Sequence, residues 1–484
     1  MRIPAFQKKH VTWLIGLAAI LAIILIPLLL LRPSDTAALD NPAAKIPTRI
    51  PEVDHTHLMK GPYASGSEVT RACLSCHPDA AAQIMATTHW TWEGKPVMAD
   101  WRGETVTIGK KNQINNFCIS AQGNENTCMS CHIGYGWEND QFDFNDPLKV
   151  DCLVCHADRA TYGKGDFGYP LAEVDLTAAA QSVRRPTREN CGFCHYDGGG
   201  GNNVKHGDLD TSLNFPSENL DVHMGGLNLQ CIDCHRTEKH VIKGRLLADN
   251  LTIAANEQVQ CTDCHAAAPH GDERINAHTA SVACQTCHIP AVALKNPTKV
   301  YWDWSASGQD RPEDHYTYLK IKGEFHYETN VAPTYRWFNG SNAYRYILGD
   351  KIDPSRPTMI NLPAGDIKDP NAKIFPFKIH VAKQPYDTIS NTLLAPRTSG
   401  EGGYWTTFDW PSALALGAQD AGIPFSGQYG FAETWMYYPA THMVQPAKDA
   451  LQCEACHGAN GRMDWQALGY PGDPIEWGGR TKVR

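Results

Sequence analysis

Residues 191–208 read CGFCHYDGGGGNNVKHGD, and this stretch decides how the chain is to be understood. Cys191, Cys194 and His195 form C-x-x-C-H, the attachment signature of c-type haem. Two cysteines three residues apart reach the two vinyl groups of one porphyrin, and the adjacent histidine reaches the iron. Four glycines follow, Gly198 to Gly201, then Asn202 and Asn203. Glycine permits backbone conformations and close approaches that a side chain forbids. The run delivers Lys205 and His206, two groups able to ligate iron, on successive residues.

Working outward, the motif recurs at Cys73-Cys76-His77, Cys128-Cys131-His132, Cys152-Cys155-His156, Cys231-Cys234-His235, Cys261-Cys264-His265, Cys284-Cys287-His288 and Cys453-Cys456-His457. The eight copies use 16 of the 17 cysteines, which leaves no disulfide framework; only Cys118 stands outside them. Zinc sites would pair neighbouring C-x-x-C units but would not require a histidine directly after each. The 484 residues give roughly sixty per haem, too little protein for separate cores, so the porphyrins supply much of the buried apolar surface. The expected fold is mainly α with extensive irregular structure, a multihaem cytochrome c fold around a packed haem cluster, with short helices and few strands in the haem region. The formal charge of -9 is a mild acidic bias, and nothing suggests nucleic acid as a partner. A structural calcium is compatible with the composition.

Residues 1–32 read as a membrane segment. Arg2, Lys8 and Lys9 precede Val11 to Leu31, 21 residues without a charge. That length spans a bilayer as a helix, and the positive flank keeps the N-terminus in the cytoplasm. A cleaved secretory signal is the rival reading, and either one exports the chain. The placement is therefore the periplasmic side of the bacterial inner membrane, where c-type haem is attached. Residues 33–65 read as a linker rich in proline, aspartate and alanine, and 66–288 hold seven haems. Residues 289–452 form a haem-free insert rich in Trp and Tyr, where loops, a few strands and some helix are expected. Residues 453–484 carry the eighth haem and a short tail.

A low-spin electron-transfer haem needs a second axial ligand. Near the motifs lie His89, His206, His223, His240, His270, His278 and His442, seven candidates for eight irons. His10, His55 and His57 fall in the anchor and linker and are poor candidates. His315, His326 and His380 lie in the insert, and His380 is placed to face a substrate instead. His240 follows His235 by five residues, too close to reach that iron's opposite face. One iron is left over, with water, a vacant position or the amine of Lys205 as its sixth ligand. Lysine must lose its proton to bind iron, and desolvation favours that loss. Cys118 is either an inert buried thiol or a nucleophile able to attack an S–S bond.

The eight motifs, the Gly198–Asp208 stretch, the aromatic Ala332–Gly340 region and the Lys383–Asp387 segment together resemble the octahaem tetrathionate reductase family. The resemblance runs from about residue 66 to 470 and leaves out the membrane segment. It implies a catalytic second haem, on Cys128, Cys131 and His132, with Lys205 as its distal ligand and Cys118 close by. The other seven haems would be bis-histidine relays. It further implies a small anionic substrate, tetrathionate and also nitrite or hydroxylamine, and a quinol-oxidising or small cytochrome electron donor. Hydroxylamine oxidoreductases of the octahaem type cross-link a tyrosine to the active haem and carry a longer tail; the tail here holds one tyrosine, Tyr470. Octahaem nitrite reductases use C-x-x-C-K, which is absent. The remaining alternative is a membrane-tethered electron conduit without a catalytic site.

Overall fold

The computed structural model describes residues 13, 15–23, 41–117, 119–244 and 258–483. No helix among these is long and apolar enough to cross a membrane, and most of Val11–Leu31, on which the anchor reading rests, lies outside them. The chain divides into two compact units. The smaller takes residues 1–47 and 260–279, and so holds the sixth motif. There a 3-10 turn at Cys261–Asp263 leads to a helix at Glu273–His278, capped by Asp272, whose carboxylate accepts from the Arg274 amide.

The larger unit, residues 48–259 and 280–484, begins with short helices, as the haem density requires. Helix α1 (Gly66–Leu74) is capped by Ser65, and Glu68 reaches back to the Ala64 amide at 2.7 Å. It ends at Cys73. Helix α2 (Arg188–His195) starts on a capping box between Thr187 and Asn190. Its last turn carries Cys191 and Cys194 on one face, because residues three apart on a helix are neighbours. Strands in this region amount to two-residue and three-residue ribbons.

Residues 48–65 are not a free tether. Arg49 pairs with Asp233 at 2.5 Å, Met59 enters the core beside Val69 and Leu153, and the Met59 carbonyl accepts from Gln181.

The insert departs most from expectation. It builds an eight-stranded sheet from β1 (Thr298–Asp303), β2 (Tyr318–Leu319), β3 (Gly323–Glu328), β4 (Thr334–Phe338), β5 (Thr358–Met359), β6 (Lys373–Asp387), β7 (Thr392–Leu393) and β8 (Tyr429–Pro439). The mainly α description therefore holds only for the haem-binding part. Strand β6 is the axis of the sheet. It pairs antiparallel with β8 along its length from Phe377↔Pro439 to Asp387↔Tyr429. Its other edge is shared by β4 (Lys373 to Pro376), β1 (Val381 to Lys383) and β7 (Tyr386 and Asp387). The two prolines of β6, Pro376 and Pro385, sit where that second partner changes, so the missing N–H breaks no continuous ladder. Helix α3 (Trp410–Asp420) packs Leu414 and Ala418 into a core with Trp302 and Trp304.

Candidate haem ligands and active site

Two of the motif imidazoles share one local design. His156 Nδ1 lies 2.9 Å from the Arg184 carbonyl, and His235 Nδ1 lies 2.8 Å from the Lys243 carbonyl. Each ring is thereby fixed with Nε2 turned away from its anchor, as an axial ligand requires. Desolvation lowers both imidazoles and drives His195 down to about 3, so they stay neutral, the form that binds metal.

Three pairs of imidazoles lie close together in the haem region. Two metal–imidazole bonds of about 2 Å each, plus the rings themselves, place trans ligands about 6 Å apart between centroids. His195 and His89 stand 6.3 Å apart, His156 and His240 6.5 Å, and His235 and His442 6.3 Å. These spacings fit one iron between each pair. His240 faces His156, and not the neighbouring His235. Its Nδ1 is held 2.9 Å from Gln83 Oε1. His442 differs from the others: desolvation pulls it down, but the Asp208 carboxylate 3.4 Å away outweighs this and raises it.

His206 packs against Tyr438 at 5.4 Å, and His223 Nδ1 lies 3.9 Å from Asp221. His270 and His278, in the smaller unit, anchor Nδ1 on Asn276 Oδ1 and the Arg274 carbonyl. His55 shows the same anchored pattern on the Val53 carbonyl and interacts electrostatically with His156, which its place in the linker did not suggest.

The sulfur contacts order the motifs in space. Cys73 lies beside Cys152, Cys131 beside Cys194, and Cys191 beside Cys231. Cys155 interacts with both Cys191 and Cys194, and Cys287 with Cys453 and Cys456. The first motif is thus beside the third, the third beside the fourth, and the seventh beside the eighth. The fourth motif touches the second, third and fifth and is the branch point of the cluster.

The second motif is built differently. His132 is fully buried in a box of Trp90, Trp92, Trp137, Phe142 and Phe144, with ring centroids 4.7 to 6.3 Å away. Its Nε2 lies 2.7 Å from the Trp90 carbonyl, and Nδ1 is the nitrogen without a partner. To offer Nε2 to an iron, the ring must leave that carbonyl. Below it, Lys164 forms a buried pair with Asp151 at 3.0 Å and donates to the carbonyls of His132 and Gly134 at 2.5 and 3.0 Å. Tyr135 and Tyr162 also donate to Asp151, each at 2.8 Å.

Lys205 reaches this motif from the glycine run. Gly199, Gly200 and Gly201 all take positive φ, and a Cβ on Gly199 would lie 2.5 Å from the Phe117 ring. The close approach at Gly199 is therefore to the Phe117 ring. The Lys205 ammonium sits 5.6 Å from the same ring and interacts electrostatically with Cys131. Desolvation, with Lys110 nearby, draws it down to about 8. Cys118 lies outside the described residues, but its neighbours on either side are fixed. Lys299 donates to the Phe117 carbonyl at 3.2 Å, and Asn115 to the Ile119 carbonyl.

The floor under this segment is the inner face of β6. Lys378, His380 and Gln384 alternate along it, all buried. Lys378 donates to the carbonyls of Val204 and Lys205 at 2.9 and 3.1 Å. His380 Nδ1 meets Asn116 Oδ1 at 3.2 Å, Gln384 donates to the Asn115 carbonyl at 2.7 Å, and His380 Nε2 has no partner. Burial, then Lys378 and Lys299, holds the His380 imidazole far below its ordinary range. Lys378 was not singled out in the sequence; its signal is the i, i+2 alternation with His380 on one strand. His315 and His326 lie apart from this floor, His315 against Tyr316 and His326 paired with Glu328 on β3. Among the described residues no group of three or more His, Cys, Asp or Glu side chains is arranged to hold a metal ion such as calcium.

A crystal structure of octaheme cytochrome c from Shewanella oneidensis aligns with this chain at a TM-score of 0.82 and 47% identity, over 88% of this chain and 98% of that one. This chain belongs to the octahaem c-type cytochromes. A bacterial cytochrome c family model also matches residues 299–460, the sheet and the last motif of the octahaem cytochrome. An uncharacterized protein of Archaeoglobus fulgidus is 24% identical over 241 residues, 39% of this chain and 80% of its own length. Haem c, covalently attached, is accordingly the cofactor of this octahaem cytochrome.

Proposed function

We propose that this octahaem cytochrome is a reductase of small oxidised anions, with tetrathionate as substrate and nitrite and hydroxylamine as further acceptors, acting at the second motif. The observation that carries the proposal is Lys205. It is an amine brought beside Cys131 and drawn by desolvation to about 8. An amine so close to neutrality gives up its proton at low cost and is a ligand that an anion can displace. Haem c, when bound, supplies one-electron transfer. The other steps belong to the chain. Nζ of Lys205 takes up a proton on leaving the metal position and turns a positive charge toward the anion. Lys299, held at the Phe117 carbonyl, adds positive charge beside the segment that carries Cys118. The Cys118 thiolate attacks an inner sulfur of tetrathionate; a sulfur–sulfur bond to the protein forms, the central S–S bond breaks, and one thiosulfate leaves. Two electrons then cleave the new bond, returning the thiolate and releasing the second thiosulfate.

The electron donor in this reading is a quinol-oxidising protein or a small cytochrome on the periplasmic side, with the N-terminal segment as inner-membrane anchor. The test is to reduce the purified holoprotein and offer each acceptor in turn; no reoxidation by any of them removes the reading. The branched contacts around the fourth motif favour a second reading, an electron conduit. That reading requires a uniform bis-histidine electron paramagnetic resonance spectrum, whereas one distinct lysine-type or high-spin signal supports the reductase.

A further inference from the structure

The eighth motif carries a feature that the third and fifth lack. His156 and His235 rest Nδ1 on neutral backbone carbonyls, but His457 rests Nδ1 on a carboxylate, Asp473 Oδ1, at 2.6 Å. Asp473 is held in place for this contact. Its Oδ2 accepts from the Gly458 amide at 2.6 Å, and its Oδ1 caps the Pro474–Trp477 helix through the Ile475 amide at 3.0 Å. Trp465 stacks on the His457 ring at 5.3 Å and 20°, which fixes its plane. Both partners are mostly buried, with 16% and 15% of their side chains exposed, so solvent screens the contact weakly.

A carboxylate behind an axial imidazole takes up the Nδ1 proton's positive character and makes the ring a stronger donor to the metal. Greater electron donation, and a negative charge nearby, stabilise ferric over ferrous iron. We infer that Asp473 is a potential-setting residue: through His457 it holds the eighth haem more reducing than a carbonyl-backed haem would be. The seventh motif is its neighbour through Cys287 and Cys453. A lower potential at the eighth haem favours transfer of its electron toward that neighbour. This inference is independent of which anion the second haem reduces.

The signal in the sequence is small, an Asp-Pro helix start sixteen residues after His457. The test is a potentiometric titration of the holoprotein bearing Asp473→Asn, with Asp473→Ser as a second variant. Both residues still cap a helix, so the charge is removed while the cap is kept. Haem content is counted beside visible and electron paramagnetic resonance spectra. The expected result is that one of eight one-electron components moves to more positive potential, the other seven stay, and the ferric signal of that same haem changes. Eight haems with an unaltered titration overturn the inference. So does loss of the eighth haem in both variants, which would make Asp473 a folding residue only.

Discussion

Replacing Lys164 by methionine removes the cation beneath the second haem motif while keeping its length. In the native chain its ammonium meets Asp151 at 3.0 Å and two carbonyls, His132 and Gly134, with both charged side chains fully buried. Breaking a buried ion pair from one side costs about 3–5 kcal/mol, because the other charge is left without compensation. Here Asp151 keeps the hydroxyls of Tyr135 and Tyr162 and the Val154 amide, which places the loss near the lower end. The two freed carbonyls add about 1 kcal/mol each. The total is about 5 kcal/mol. Urea unfolding of the holoprotein, followed by tryptophan emission, reads this as a fall in midpoint of about 1.2 M for a slope of about 4 kcal/mol/M. Adding Asp151→Asn removes the stranded charge and is expected to recover about half of the loss. A midpoint for Lys164→Met within about 0.2 M of the native value refutes the reasoning, as does a double variant no more stable than the single one.

Lys205→Ala is expected to change one haem signal in the electron paramagnetic resonance spectrum and to lower kcat/KM with tetrathionate by on the order of tenfold or more, about 1.4 kcal/mol of transition-state stabilisation. An unaltered spectrum would place the amine elsewhere. His240→Ala is expected to convert the third haem, and only that one, to a high-spin or water-ligated form, since His240 stands 6.5 Å across from His156; the visible and magnetic spectra report it. Acid is expected to loosen the sheet near β7. Burial raises the Asp387 carboxyl, but the amides of Ser390, Ser426 and Ile389 outweigh this and hold it at about 2. A carboxyl depressed from its unfolded value near 3.8 stabilises the fold at higher pH. The contribution, about 2 kcal/mol, is lost as pH falls from about 4 to 2, and Asp387→Asn is expected to flatten the unfolding profile in that window.

Haem attachment was legible residue by residue, because both thioethers and the proximal imidazole come from five consecutive residues and need no distant partner. The glycine run announced a close approach for the same local reason, since positive φ at Gly199 to Gly201 is a property of the backbone itself. The sheet was not legible. Strand β6 carries two prolines and is buried on both faces for much of its length, so neither clean alternation nor β-propensity marks it.

The sequence by itself determined the number of haems, their covalent anchors, and the presence of one amine and one thiol beyond the regular ligand set. Only the tertiary structure decided which imidazole stands across from which: His89 from His195, His240 from His156, His442 from His235. It also decided that His132 lies in an aromatic box and that Asp473 backs His457. The physical reason is range. A covalent motif is written in neighbouring residues, whereas an axial pair, a cage or a carboxylate behind a ring is assembled by chain segments that meet only when the core closes.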